Sequence, residues 1–247
     1  MTTTTSSEEK LLQVTDLLQK NWVGTEDWGE ISKYSGQLCP KKVANKFLLC
    51  CLLDYQIKWQ RAWENGVRLV QTLGDPDDIW TTITSQTEQE WKARFKELNL
   101  HRYPAAHARL WRIGKEICSY FEGDASQIWH GSSAFDVLCR LYYIGTGEQL
   151  SRMIVGALRD VGQIKGKGDV KADVHVCRVV GRVFFGKQTT PETATELTRQ
   201  LNSSDPWHFD SILWTIGSSF CHPKTPDCPK CFLSAECAYA QGQGGRA

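Results

Sequence analysis

Hydrophobic positions along the chain recur with the spacing of helices and seldom alternate as strand positions do. "LLQVTDLLQKNW" (residues 11–22) reads as a short amphipathic helix. "KKVANKFLLCCLL" is apolar nearly all round, which predicts a buried central helix. "IKWQRAWENGVRLVQTLG" follows and stops at Gly74, and "DPDD" restarts the chain. Thr87 and Glu90 form a capping box that opens "EQEWKARFKELN". A further helix is predicted over residues 104–121, ending near Gly123. Ser132 or Ser133 can cap "AFDVLCRLYY", which runs into the turn Gly145-Thr146-Gly147. Pro191 and Pro206 stand where a first helical turn tolerates proline, with Asp205 capping the second. The result is an all-α fold of about ten helices without a fixed repeat. Residues 1–10 are rich in Thr, Ser and Glu and are expected to be disordered.

Composition sharpens this picture at the cysteines. A chain of 247 residues, 41% hydrophobic and 23% charged, can build one large domain or two modest ones. No apolar run approaches the roughly 18 residues of a membrane span. The start lacks the basic and apolar regions of a secretory signal. An intracellular chain, cytoplasmic or nucleoid-associated, is expected, and disulfides are rare there. Six of the ten cysteines (Cys39, Cys50, Cys51, Cys118, Cys139, Cys177) read as buried small hydrophobes. The other four crowd into "CHPKTPDCPKCFLSAEC", spaced C-x6-C-x2-C-x5-C, a polar stretch where thiol packing gains little. A metal centre held by four thiolates, Cys221, Cys228, Cys231 and Cys237, is the physical reading. Zinc tolerates such ligands, yet zinc ribbons present two close pairs and only Cys228 and Cys231 are one. The longer loops suit wrapping around a cubane cluster.

This spacing near a C-terminus resembles the iron–sulfur loop of the endonuclease III group of helix-hairpin-helix DNA glycosylases. Two upstream stretches strengthen the resemblance. "ADVHVCRVVGR" (Ala172 to Arg182) looks like the segment carrying the catalytic aspartate, here Asp173. "YYIGTGEQLSRMIVGAL" (Tyr142 to Leu158) looks like the hairpin and its following helix. "FLLCCLLDYQ" resembles the early helix that ends in a glutamine near the flipped base, here Gln56. The resemblance implies a two-lobed fold with a DNA cleft between the lobes. A six-helix barrel would take residues 42–171, with the hairpin near 142–158. An iron–sulfur lobe would combine 11–41 with 172–247 around a cluster loop at 221–237. It also implies a [4Fe–4S] cluster, double-stranded DNA as partner, and a DNA glycosylase acting as a monomer.

Each piece also has a plainer use. Glycines at 145 and 147 permit positive φ and bare backbone N–H groups that bind phosphate, or an ordinary interhelical turn. Asp173 precedes an apolar helix, so it can be an N-cap as well as the carboxylate that stabilises an oxocarbenium-like sugar. Gln56, His101, Arg102 and Tyr103 are candidate plug, wedge or pocket residues, or surface loop residues. Net charge is only +1, from 29 Lys+Arg against 28 Asp+Glu, low for a sequence-independent DNA binder. Eight basic residues between Arg152 and Lys187 face three acids, a candidate phosphate-facing stripe.

Two departures from the family matter. Bifunctional members carry a lysine just after the hairpin turn, and Gln149 stands at that position. Glutamine cannot form an imine, so a monofunctional enzyme that uses water is expected. The stretch from Gln149 to Asp173 is also longer than the family's. Its extra segment, "GQIKGKGDVK", is either a loop reaching over DNA or a source of lyase chemistry through Lys165, Lys167 or Lys171. A defence enzyme that excises hypermodified bases and a non-catalytic DNA binder are the rival readings.

Overall fold

The structure is a computed structural model that describes residues 7–22, 24, 27–103 and 105–243. The described residues form α1 (Ser7–Lys20), α2 (Lys41–Leu53), α3 (Trp59–Leu73), α4 (Ile79–Thr84), α5 (Glu88–Glu97) and α6 (Ala106–Phe121). They continue with α7 (Ala134–Tyr143), α8 (Glu148–Asp160), α9 (Val174–Phe185), α10 (Pro191–Leu201), α11 (Asp210–Ser219) and α12 (Ala238–Gln243). Short 3-10 turns join several of them, and β pairing among the described residues is confined to one isolated bridge, Ser133 with Lys165. The fold is all-α, as the hydrophobic spacing predicts. Two sequence expectations need correction. Residues 7–10 already belong to α1, while residues 1–6 lie outside the described residues. The segment at Pro206–Phe209 is a 3-10 turn, and Asp205 makes no capping hydrogen bond.

The chain divides into two compact units, Asp27–Gly166 and Met1–Glu26 with Lys167–Ala247. Residues 27–41, expected with the C-terminal half, belong to the first of these. Trp28 Nε1 donates to Asp160 Oδ2 at 3.0 Å, and Ile31 is fully buried.

Within Asp27–Gly166, α2 is the centre. Ten of its thirteen residues are buried, including Asn45. Asn45 Nδ2 donates to the carbonyls of Pro76 and Gly123, both at 3.0 Å, while its Oδ1 accepts from Trp80 Nε1 and the Ala125 N–H, both at 2.9 Å. A single buried amide thereby ties α2 to α4 and to the turn before α7. Local signals work where they are strong. Thr87 with Glu90 and Ser133 with Asp136 both close reciprocal capping boxes. Gly74 takes φ +102 at the end of α3.

The other unit is built on α9. Val176, Val179, Val180 and Val183 share one core with Val14 and Leu18 of α1 and with Phe209, Ile212, Leu213 and Ile216 near and within α11. Gly217 lets α11 approach closely: a Cβ there would stand 2.6 Å from His175 Cβ.

Candidate active site and cysteine loop

Asp173 is the N-cap of α9. Its Oδ1 accepts from the His175 N–H at 2.7 Å and the Val176 N–H at 3.1 Å. Its Oδ2 has no partner among the described residues. The plain N-cap reading and the functional one therefore coexist: one oxygen fixes the carboxylate, the other is left for chemistry. His175 is fixed as well. Arg178 Nη2 lies 3.1 Å from His175 Nδ1, and Trp214 packs tilted against the ring with centroids 5.7 Å apart. A guanidinium can only donate, so Nδ1 accepts and the imidazole proton sits on Nε2.

The hairpin turn refines the expectation for its donors. Gly145 and Gly147 take φ of +86° and +79°. The Gly145 and Thr146 N–H groups donate within the turn, to Tyr142 O and Leu141 O at 3.0 and 3.1 Å. The Thr146 side chain is fully buried and bonds to Leu141 O at 2.9 Å and to Ser151 Oγ. Thr146, a predicted DNA contact, therefore offers neither side chain nor N–H. The open donors are those at the start of α8, which carries no side-chain cap. Gln149 sits in that first turn, part-buried, and its Oε1 is buried without a partner among the described residues.

The remaining predicted contacts of this unit cluster beyond α2. Gln56 lies three residues past the helix end, exposed, with φ +53°, a region non-glycine residues rarely occupy. The His101 ring stacks on Tyr55 at 4.3 Å, and Tyr103 lies 6.2 Å from the same tyrosine. Arg102 covers the Tyr103 ring at 5.1 Å. Tyr55 and Arg109, whose guanidinium sits 5.0 Å over the Tyr55 ring, were not singled out from sequence. Burial raises the Tyr55 phenol and lowers the Arg109 guanidinium from their ordinary pKa values.

The proposed basic stripe loses three of its eight members to burial. Arg152, Arg178 and Arg182 are buried. Arg152 pairs with Glu148 at 2.6 Å. The segment 162–171 is tied down rather than free. Ala134 N donates to Lys165 O at 2.8 Å, and Lys167 Nζ to Ser203 O at 3.0 Å. Trp207 N donates to Gly168 O at 2.8 Å, and Lys171 N to Asp210 Oδ1 at 2.6 Å. Lys165 and Lys167 remain exposed and Lys171 is half-buried.

The arginines of α9 serve the cysteine loop instead. Arg178 donates to Cys221 O and to Gly217 O, the latter at 2.8 Å. Arg182 donates to Cys221 Sγ at 3.3 Å, to His222 O at 2.8 Å and to Pro223 O at 2.8 Å. Its guanidinium also lies 4.4 Å over the Tyr239 ring. Cys237 Sγ donates to Arg182 O at 3.5 Å. Burial raises the Cys231 thiol to about 11, and negative charge on Cys221, Cys237 and Cys228 adds to the shift. Cys228 is raised for the same reasons, burial first and then Cys237 and Cys221. Among the described residues, no group of three or more His, Cys, Asp or Glu side chains is arranged to hold a metal ion. All ten cysteines are free thiols. Cys139, expected to be buried, is exposed, and Cys118 is half-buried; Cys39, Cys50, Cys51 and Cys177 are buried.

No family profile matches the chain. The sequence is similar to endonuclease III of Thermotoga maritima, 30% identical over 79 residues, which are 32% of this chain and 37% of that protein. The chain thus matches little more than a third of the relative's length. The fold aligns with solved structures over nearly the whole chain. A trapped covalent endonuclease III–DNA intermediate, in an estranged-adenine complex, gives a TM-score of 0.68 at 12% identity, over 97% of this chain and 99% of the other. A non-covalent endonuclease III–DNA complex gives 0.64 at 15% identity, over 97% and 99%. A thermostable thymine-DNA glycosylase gives 0.62 at 15% identity, over 96% and 99%. By fold, and by sequence over the matched third, the chain resembles the all-helical, endonuclease III-like members of the helix-hairpin-helix DNA glycosylase superfamily.

Proposed function

We propose that the chain is a DNA glycosylase that flips a damaged or modified base out of the duplex and hydrolyses its N-glycosidic bond. The observation that carries this reading is the state of Asp173. Two backbone N–H groups pin one of its oxygens and leave the other without a partner among the described residues. As the base departs, positive charge builds on the sugar, and a fixed carboxylate beside the anomeric carbon stabilises it without reorganising. The free oxygen can also orient a water and take its proton.

Gln149 supports the monofunctional form. It lies in the first turn of α8, where the resemblance would put the lysine of bifunctional members, and it offers no amine. Water is then the nucleophile, and the product is an abasic site on an unbroken strand. Phosphate contacts fall to the uncapped start of α8 and to exposed lysines such as Lys165, Lys167 and Lys224.

Cys221, Cys228, Cys231 and Cys237 would hold a [4Fe–4S] cluster. The donor set fits the group: four soft thiolates on one short segment, with a guanidinium donating to one sulfur. Around them only Leu233 and Cys237 are fully packed, so the segment has little core of its own. When bound, the cluster supplies structural cross-linking of this loop.

Asp173→Asn tests the reading. Asparagine caps a helix as well as aspartate does, so the fold should survive. The variant should bind a substrate duplex as the parent does, yet release base about a hundredfold more slowly or worse. An equally active variant would refute the assignment. Borohydride should trap no covalent adduct with the parent protein, and an adduct would refute the monofunctional form.

A further inference from the structure

We infer that Arg109 and Gln149 form a base-reading pair beside the hairpin turn, selecting a nucleobase with a lactam edge, a carbonyl next to a ring N–H. The inference rests on the glycosylase reading for its context and on four observations within Asp27–Gly166 for its substance. First, Arg109 reaches the turn: its Nη2 lies 3.5 Å from the point where a Cβ on Gly147 would stand. Second, the guanidinium lies 5.0 Å from the Tyr55 ring centroid, and Tyr55 favours its charged form. Third, no carboxylate among the described residues pairs with Arg109, and the like charge of Arg112 opposes its own. A part-buried cation with aromatic support and no counter-ion is a donor set waiting for an acceptor. Fourth, two residues beyond Gly147, Gln149 Oε1 is buried with no donor among the described residues. Native structures seldom leave such an atom unpaired without a functional reason.

The two side chains are complementary in kind. Arginine only donates, and the buried amide oxygen only accepts. A ligand that satisfies both must present an acceptor to Arg109 and an N–H to Gln149. Uracil, thymine and hypoxanthine carry that pairing on one edge. Cytosine and adenine carry the reverse, an amino group beside a bare ring nitrogen, which would set donor against donor at Arg109. A phosphate offers acceptors alone and would leave Gln149 Oε1 facing an anion. The edge of an extruded base therefore fits better than the backbone does. Rejection of the reversed edge is the stronger part of the selection, because buried polar groups left unpaired discriminate more than an added contact does.

The test uses the full-length Asp173→Asn protein, so that target bases stay attached, and measures duplex affinity by direct titration. Uracil is compared with cytosine opposite one mispairing base, and hypoxanthine with adenine likewise. A duplex holding a stable abasic analogue serves as reference. The lactam-edge duplexes should bind about tenfold tighter or better. Arg109→Met should cut that preference to within about threefold while leaving the abasic duplex bound as before. Gln149→Leu, which removes a buried orphan and should fold at least as well, should do the same. The pair is overturned if no preference exists, if it survives in both variants, or if Arg109→Met weakens every duplex equally, the mark of a phosphate contact. Base release by the parent protein is read separately. Preference without release would sink hydrolysis and leave the pair standing; release without preference would do the opposite.

Discussion

His101 sits half-buried with both ring nitrogens engaged. The Tyr103 N–H donates to Nδ1 at 3.1 Å, so the proton is on Nε2, which donates to Tyr55 O at 3.0 Å. Burial lowers its pKa below the ordinary histidine range, and Arg102 and Arg109 add to the shift. A second proton would have to displace the Tyr103 N–H. The sign of the consequence follows. In the unfolded chain His101 gains a proton as pH falls through the ordinary histidine range, while the folded chain resists it until lower pH. Unfolding is therefore favoured from about pH 7 downward, and the loss levels off below the folded pKa. Chemical denaturation at pH 7.5, 6.5 and 5.5 should show the parent losing more stability than His101→Gln over that interval. Equal slopes would mean the ring is free to protonate. The same residue shows what single positions tell a reader. Asp173 and the four loop cysteines stand out because an acid before an apolar helix and a dense thiol spacing are local patterns. Tyr55 and Arg109 do not, because their pairing joins the segment after α2 to α6 and has no local signature.

At the scale of elements, amphipathic spacing and caps locate most helices, and they fail where tertiary contacts decide. The six residues of α4 are too few for a periodic signal to accumulate. The basic residues of α9 read as a phosphate stripe, yet Arg178 and Arg182 face inward and bind loop carbonyls. A helical arginine buried by its loop and one turned to solvent look alike in sequence. Asn45 is the converse case. It looks like an interruption in an apolar helix, and it is the amide that joins four backbone and side-chain groups from three segments. Asn45→Leu keeps the volume and leaves the Trp80 Nε1–H and the Ala125 N–H buried without acceptors. Each such orphan costs on the order of 1–3 kcal/mol, so the variant should lose about 3 kcal/mol or more. Urea titration reads this directly; a loss below about 1 kcal/mol would mean that water replaces the amide.

For the whole molecule, the division into Asp27–Gly166 and a unit that unites α1 with the C-terminal third was only partly legible. Residues 27–41 carry no composition change that would assign them, and Trp28 finds Asp160 only in three dimensions. The unit holding the cysteine loop is where metal should matter. The purified protein is expected to be brown, with a broad visible band and about four irons per chain. Cys228→Ser should lose the band and lower the melting temperature. A colourless protein loaded with zinc would refute the cluster assignment and leave the fold untouched.

The proposed chemistry comes down to what leaves the duplex. Incubating the parent protein with a panel of duplexes, each holding one modified base, and weighing the products by mass spectrometry reads it in one step. A free base, an abasic site and an unbroken strand are expected from at least one duplex, with base release about a hundredfold slower or worse for Asp173→Asn. Intact duplexes throughout, bound but unprocessed, would contradict that chemistry.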